Sequence, residues 1–286
     1  MRKLPIEQGQ PKSDNEDLSN YRHHMAIHWH DFYSSDNVTP AQKANLVERS
    51  TIVGRIGIMM LACGTGAWRV RDSMNVVSQK LNMTCSADIG LVSIEYTCMD
   101  ANNSYTQALS LPNTGVNTTK LNALESFVKE FDQRGDHWTV GEIHKRLDVI
   151  HRMKGNYSPL QVGLAAALAC SAFVFLLGGG PIEMICSFFG AGMYGRRKMI
   201  DRKLTLFACL ATSVAVACVI YVMALKLLNM GISLNPRHEA GYIGAMLFVI
   251  PGFPFITSGL DLSKLDMRSG LERLAYAVMI IIVATL

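Results

Sequence analysis

The residues best suited to chemistry lie in a long apolar run that two prolines interrupt. Residues 240–260 carry no charged side chain, and Pro251-Gly252-Phe253-Pro254 stands within this run. An uncharged run of about 20 residues matches the thickness of a bilayer core, and proline removes backbone hydrogen-bond donors from a helix. Carbonyl groups freed at that depth need protein or water as partners, so an interrupted helix is a candidate solute site. An ordinary proline kink is the alternative interpretation.

Polar side chains follow the two prolines. Thr257 and Ser258 can offer hydroxyl groups to a small polar solute, although such hydroxyls often bond back to helix carbonyls. Asp261 comes next, where a carboxylate can take up a proton or bind an ammonium group. The alternative for Asp261 is an ion pair at the membrane interface, with Lys264 or Arg273. The sequence leaves both roles open.

These residues belong to an apolar second half that predicts five membrane-spanning helices over residues 158–286. Five stretches lack charged side chains: residues 160–182, 184–195, 204–225, 240–260 and 274–286. Residues 159–286 also hold 10 of the 27 Lys and Arg but only 6 of the 23 Asp and Glu, a difference that equals the whole net charge of +4. The first half is therefore neutral, without the basic excess typical of proteins that bind nucleic acid.

The basic residues lie in the loops after the second and fourth apolar stretches and just before the first. Loops rich in Lys and Arg face the cytoplasm. We therefore expect a multi-pass protein of the plasma membrane whose N-terminal domain is cytoplasmic.

Residues 41–157 predict a small α/β domain. Helical periodicity covers residues 41–66, 67–83, 118–131 and 139–152, and the last of these starts with the capping-box spacing of Thr139 and Glu142. Strand-forming residues fill 87–98 and 104–111, with a turn at Asp100–Asn103. The expected order is two helices, a β-hairpin and two helices. Residues 1–40 are polar and predict a disordered tail.

Two groups of histidines raise the question of a metal site. Four cluster in the tail: His23, His24, His28 and His30. They lack acidic or cysteine ligands at a fixed spacing, which favours a solvated segment. His137, His144 and His151 recur every seven residues, about 10 Å apart along a helix. This distance is too long for a shared metal and predicts a surface stripe, so we expect neither a metal nor a cofactor.

The sequence shows no recognised enzyme signature. It has no nucleophile elbow, no phosphate-binding loop and no zinc-protease motif. A membrane-anchored enzyme would have to use Arg69, Asp72 and Glu95, the plausible polar set of the first half. A membrane scaffold or regulatory protein without transport activity is the other alternative.

Two motifs resemble those of the threonine/serine exporter family. They are CGTGAWRVRDSM at 63–74 and PGFPFITSGLDLSKLDMRSGLER at 251–273, and the resemblance covers about residues 45–286. Six residues of the second motif stand at the family's spacing: Pro251, Gly252, Pro254, Asp261, Gly270 and Arg273. In the first motif, Gly64, Arg69 and Val70 match, and the cytoplasmic-domain motif also includes Asn117, which closes a Gly115-Val-Asn turn.

The resemblance implies a secondary transporter subunit that exports small amino acids such as threonine or serine in exchange for protons. Related two-component members export dicarboxylates such as succinate, which is the alternative substrate class. The implied pathway residues are Pro251, Gly252, Phe253, Pro254, Thr257, Ser258, Asp261 and Arg273. A five-helix half works with a second five-helix half, so a separate partner subunit or a homo-oligomer in the lipid bilayer is expected.

Overall fold

The computed structural model describes residues 27–32, 39–153, 157–190, 206–229, 241, 243–244, 247 and 250–285. Within them the chain forms two compact units, Met1–Met153 (unit 1) and Lys154–Leu286 (unit 2). The described residues are mostly helical with one three-stranded sheet. This result confirms the predicted combination of many helices with a small sheet. His23, His24 and the basic loop at 196–203 lie outside the described residues.

Unit 1 combines helices with an antiparallel sheet. Its helices are α1 (Leu46–Ala62), α2 (Ala67–Lys80), α3 (Thr118–Arg134) and α4 (Val140–His151). Its strands are β1 (Thr84–Ile89), β2 (Ser93–Met99) and β3 (Ser104–Ser110), in that spatial order. A short 3-10 helix, Trp29–Phe32, belongs to the segment predicted as a tail, and the Trp29 side chain packs on the core of this unit.

The prediction of one continuous strand over residues 87–98 is wrong. The chain turns at residues 90–92, where the Gly90 amide donates to the Ser93 carbonyl over 2.8 Å, and two strands result. The predicted turn at Asp100–Asn103 is confirmed, since the Asp100 carboxylate accepts a hydrogen bond from the Asn103 amide over 3.0 Å. Leu91 and Val92 have side chains that also fit a strand. The amino-acid composition of this segment therefore did not predict the first turn.

Helix α1 forms the centre of unit 1. It begins with a capping box between Asn45 and Glu48, and its residues are buried from Glu48 to Leu61. The helix contacts α2, α4, β2 and β3, so it packs against both the other helices and the sheet of the unit. Burial of each large apolar side chain contributes about 1.5–3 kcal/mol, which makes this helix the main organiser of the core.

The secondary-structure elements among the described residues of unit 2 are all helices. Its helices are α5 (Pro159–Leu176), α6 (Pro181–Gly190), α7 (Leu206–Asn229), α8 (Gly252–Ser263) and α9 (Met267–Thr285). Packing runs from α5 to α6, from α6 to α7, from α7 to α9 and from α9 to α8. The assignment of membrane spans to these helices stays a prediction. Within the described part of the chain, no helix combines the length and the apolar character needed to cross a membrane.

Candidate functional site

The interruption of the apolar run lies at Pro251, directly before helix α8. Pro251 has φ −80° and ψ 63°, which is not helical, and Gly252 is the first residue of the helix. Pro254 lies in the first turn of α8, where a backbone amide has no partner within the helix and its loss costs nothing. Phe253 is partly exposed beside it. The first proline therefore marks the break, while the second fits a helix start.

The two predicted hydroxyl residues have different partners. The Thr257 hydroxyl donates to the Phe253 carbonyl over 3.0 Å, a bond back to its own helix. The Ser258 hydroxyl instead donates to the Gly270 carbonyl over 2.7 Å and connects α8 to α9. Both side chains are buried. Ser258 therefore connects the two helices, whereas the Thr257 hydroxyl bonds to a carbonyl group of its own helix.

Asp261 lies at the centre of a buried polar cluster. Its Oδ2 atom accepts a hydrogen bond from the Ser269 hydroxyl over 2.9 Å and faces the Arg273 Nε atom at 3.2 Å. The Arg273 Nε–H also donates to the Ser269 oxygen over 3.0 Å. The exposed fractions of Asp261, Ser269 and Arg273 are 0%, 1% and 2%. The structure thus places the predicted carboxylate and guanidinium together and adds one serine.

Ser269 is a member of this cluster that the sequence prediction missed. It stands four residues before Arg273, which puts both side chains on one face of α9. That spacing is a local signal, but serine is common in helices of this type and the signal alone is weak. Only the packing of α9 on α8 shows that the Ser269 hydroxyl reaches the Asp261 carboxylate.

The turn between α8 and α9 positions the cluster. The Asp266 amide donates to the Asp261 carbonyl over 2.9 Å, the Leu265 amide donates to the Leu262 carbonyl over 3.0 Å, and Leu265 has φ +64°. This is the Schellman ending of a helix, with leucine in the left-handed position that glycine usually takes. At Gly270 a Cβ atom would lie 2.7 Å from the Leu262 side chain, so the helices approach closely there.

The motif of unit 1 has a structural explanation. Gly64 has φ +80°, and a Cβ atom there would lie 3.1 Å from the Gly115 carbonyl oxygen. The Asn117 amide donates to the Cys63 carbonyl over 3.2 Å, and the Asn117 side chain caps α3. Arg69 is half exposed and forms an ion pair with Glu125 at 3.2 Å. Gly64 and Asn117 therefore join two loops, and Arg69 connects α2 to α3.

The polar set considered for an enzyme is divided between two elements of unit 1, with Arg69 and Asp72 on α2 and Glu95 on β2. Arg69 forms an ion pair with Glu125, which belongs to α3. Glu95 is exposed on the face of β2 opposite to the buried Ile94 and Tyr96. Arg69 is thus engaged by Glu125, and Glu95 lies on the exposed face of another element.

His144 is buried, so the prediction of a surface histidine stripe is wrong at this residue. Its exposed fraction is 0%, and its Nδ1 atom lies 2.9 Å from the Arg55 NH1 atom. Because a guanidinium only donates, Nδ1 accepts and the imidazole is neutral. Burial, followed by the charge of Arg55, lowers the pKa of His144 to about 3. Helical spacing places this residue correctly on α4 but cannot show that α1 covers it.

Arg55 also binds Asp148, which connects the short helix Trp29–Phe32 to α4. The Asp148 carboxylate pairs with Arg55 and accepts a hydrogen bond from His30 over 3.0 Å. The Arg55 guanidinium lies 5.7 Å from the centre of the Trp29 ring. Although burial opposes it, the hydrogen bond and charge of Arg55 lower the pKa of Asp148. No group of three or more potential metal ligands occurs among the described residues.

Comparison with known proteins agrees with the two motifs. The family model ThrE, whose description reads "Putative threonine/serine exporter", matches residues 51–286. The chain belongs to this family. The resemblance found in the sequence is confirmed, and the family assignment is one of a transporter rather than an enzyme. Neither the curated proteins nor the solved structures compared with the chain include a match.

Proposed function

We propose that this chain is a subunit of a secondary transporter that exports small amino acids of the threonine or serine type in exchange for protons. The observation that carries this proposal is the buried pair of Asp261 and Arg273, at 3.2 Å, beside the helix that starts after Pro251. A carboxylate next to a guanidinium complements the ammonium and carboxylate groups of an α-amino acid. Family membership supports the activity class, export. The cluster of Asp261, Ser269 and Arg273 supplies the charged groups that would bind the amino acid.

The surface of unit 2 supports a place in the lipid bilayer. Several large apolar side chains there are more than half exposed, among them Leu168 at 62%, Phe175 at 65%, Met223 at 59% and Ile256 at 65%. Large exposed apolar surfaces mark contacts with a membrane or another protein. We assign this surface to lipid and to a second five-helix subunit or a second copy of the chain. Unit 1 is then the cytoplasmic domain of a plasma-membrane protein.

Proton exchange follows from competition for one carboxylate. In the structure Asp261 is satisfied by Arg273 and Ser269. A zwitterionic substrate replaces these contacts, with its ammonium group on Asp261 and its carboxylate on Arg273. A proton on Asp261 removes the charge that holds the ammonium group. Because proton and substrate exclude each other at Asp261, the subunit exchanges one for the other.

Efflux from cells tests the proposal. Cells that express the chain, with and without a candidate partner subunit, are loaded with labelled threonine, serine or succinate. We expect threonine or serine efflux that stops when the proton gradient is collapsed. Asp261→Asn abolishes this efflux without lowering the amount of protein in the membrane. If none of the three solutes moves, the exporter proposal fails and a scaffold function is favoured.

Two exposed residues of α9 provide matched controls. Glu272 and Arg268 pair with each other over 3.2 Å at the surface, so Glu272→Gln and Arg268→Gln keep normal efflux. Arg273→Gln, by contrast, weakens efflux of every substrate that carries a carboxylate. Succinate has no ammonium group, so a dicarboxylate exporter would keep or increase succinate efflux in Asp261→Asn. Unchanged threonine efflux in Asp261→Asn would remove this residue from the mechanism.

A further inference from the structure

Two cysteines of unit 1 stand directly opposite each other on neighbouring strands. Cys85 of β1 pairs with Cys98 of β2 in an antiparallel register. The pair next to the turn, Gly90 and Ser93, is hydrogen bonded over 2.8 Å. Hydrogen-bonded and non-hydrogen-bonded pairs alternate along such a ladder. Cys85 and Cys98 lie five positions further out and therefore form a non-hydrogen-bonded pair, the type in which side chains approach most closely.

This register meets the geometric requirement of a disulfide. The Cα atoms of a non-hydrogen-bonded pair are about 4.5 Å apart, and disulfides join Cα atoms that are about 4.4–6.8 Å apart. Both side chains share one face of the sheet, the face that carries the buried Ile94 and Tyr96. A bond between the two sulfur atoms therefore needs side-chain rotation but no change of strand register.

The two thiols are close enough to influence each other. Cys98 and Ser78 of α2 lower the pKa of Cys85, and Cys85 raises the pKa of Cys98. Cys98 is fully buried, with Ser50 of α1 next to it, while Cys85 is half buried. An incoming reagent therefore reaches Cys85 first, and Cys98 stands behind it.

We propose that Cys85 and Cys98 form a reversible thiol–disulfide site that reacts with hydroperoxides, with Cys85 as the attacking thiol and Cys98 as the resolving thiol. Neither the family assignment nor the proposed transport function involves this pair. An accessible thiol next to a second cysteine is the arrangement found in redox-responsive sites. Disulfides of reducing compartments are usually transient and serve sensing or catalysis.

The reaction balances in two steps. The Cys85 thiolate attacks one oxygen of hydrogen peroxide, which gives a sulfenic acid and, with one proton taken up, one water. The Cys98 sulfur then attacks the sulfenic sulfur, and the hydroxide that leaves takes the Cys98 proton to form a second water. Two thiols and one peroxide thus give one disulfide and two waters. Two molecules of a small thiol such as glutathione then reduce the disulfide by thiol–disulfide exchange, which restores both cysteines and gives one glutathione disulfide.

The electrostatic environment agrees with these roles. The hydrogen bond from Cys98 lowers the pKa of Cys85, and Ser78 acts in the same direction against the effect of burial. The same hydrogen bond and burial raise the pKa of Cys98. Burial raises the pKa of Cys63 to about 11, which makes this cysteine of unit 1 a matched control. The thiolate is the reactive form, so Cys85 reacts before Cys63.

Peptide mapping of the intact chain in detergent tests the site. The reduced protein is treated with hydrogen peroxide, alkylated without a reducing agent and digested. We expect a cross-linked peptide that joins Cys85 to Cys98, lighter by two hydrogens, with loss of alkylation at both residues and recovery after glutathione. Cys63 should be alkylated to the same extent with or without peroxide.

Variants separate this reaction from general oxidation. Cys63→Ser should leave the cross-linked peptide unchanged. Cys98→Ser should remove it and let a sulfenic acid accumulate at Cys85, which a dimedone-type reagent traps. Three results would overturn the proposal: both thiols stay open to alkylation after peroxide, the cross-link forms only in denaturant, or Cys63 is oxidised first. Each of these results is independent of whether the chain transports amino acids.

Discussion

Acidification should weaken unit 1 through His144 before the carboxylates take up protons. His144 is fully buried, and its Nδ1 atom accepts a hydrogen bond from Arg55 over 2.9 Å. Protonation of the imidazole would place an N–H group against the guanidinium and a charge inside the core. Burial and then Arg55 lower the pKa of His144 from 6.5 to about 3 in the folded chain.

The sign and size of the effect follow from this difference in pKa. The unfolded chain binds the proton near pH 6.5, whereas the folded chain binds it only near pH 3. The stabilisation is therefore complete above pH 6.5 and is lost progressively as the pH falls towards 3. One pH unit corresponds to about 1.4 kcal/mol, so the loss at pH 5 is about 2 kcal/mol. The lowered pKa of Asp148 acts in the same direction at still lower pH.

Tryptophan fluorescence measures this loss in the intact chain. The 3 tryptophans of the sequence are Trp29, Trp68 and Trp138, so all of them lie in unit 1. Urea unfolding in detergent at about pH 7.5 and about pH 5 should give free energies of unfolding that differ by about 2 kcal/mol. His144→Asn keeps an oxygen near the Nδ1 position but does not titrate. This variant should be less stable than the wild type at neutral pH and nearly insensitive to pH.

Two results would refute the reasoning about His144. One is a wild-type free energy of unfolding that does not change between about pH 7.5 and about pH 5. The other is a His144→Asn variant with the full pH dependence of the wild type, which would assign the effect to another group. His137 is exposed on a neighbouring 3-10 helix, so His137→Asn should keep the wild-type pH dependence and serves as the control.

Two glycine substitutions test the contacts that position the motif residues. Gly64→Ala should lower the stability of unit 1 by about 1 kcal/mol or more, because φ is +80° there, and tryptophan fluorescence measures it. An unchanged free energy of unfolding would contradict this. Gly270→Ala should reduce the yield of folded protein in detergent, because its Cβ atom meets Leu262 at 2.7 Å. Gly259→Ala should be tolerated, since none of the residues that the structure describes lies within 4 Å of a Cβ atom there. Equal yields for these last two variants would argue against close packing of α8 and α9.

Local signals in the sequence were sufficient for much of the helical framework. The capping box of Thr139 and Glu142 was predicted, and α4 begins at the next residue. The turn after Asp100 was equally visible, and the two prolines indicated an interruption of the apolar run, which the structure has at Pro251. A cap or a turn acts through atoms within about four residues of each other, so its evidence lies inside a short window. The glycine turn at 90–92 was missed because Leu91 and Val92 fit a strand as well as a turn.

What the sequence by itself determined about this protein is therefore local: its family motifs, its helix starts, its apolar second half and the positions of Asp261 and Arg273 along the chain. The tertiary structure alone decided which side chains meet. His144 is buried because α1 packs on α4, and Ser269 joins Asp261 because α9 folds back on α8. The burial of a side chain and its pairing with another depend on residues that are far apart in the chain. The periodicity of one helix shows which residues share a face, but it does not show which other element packs on that face.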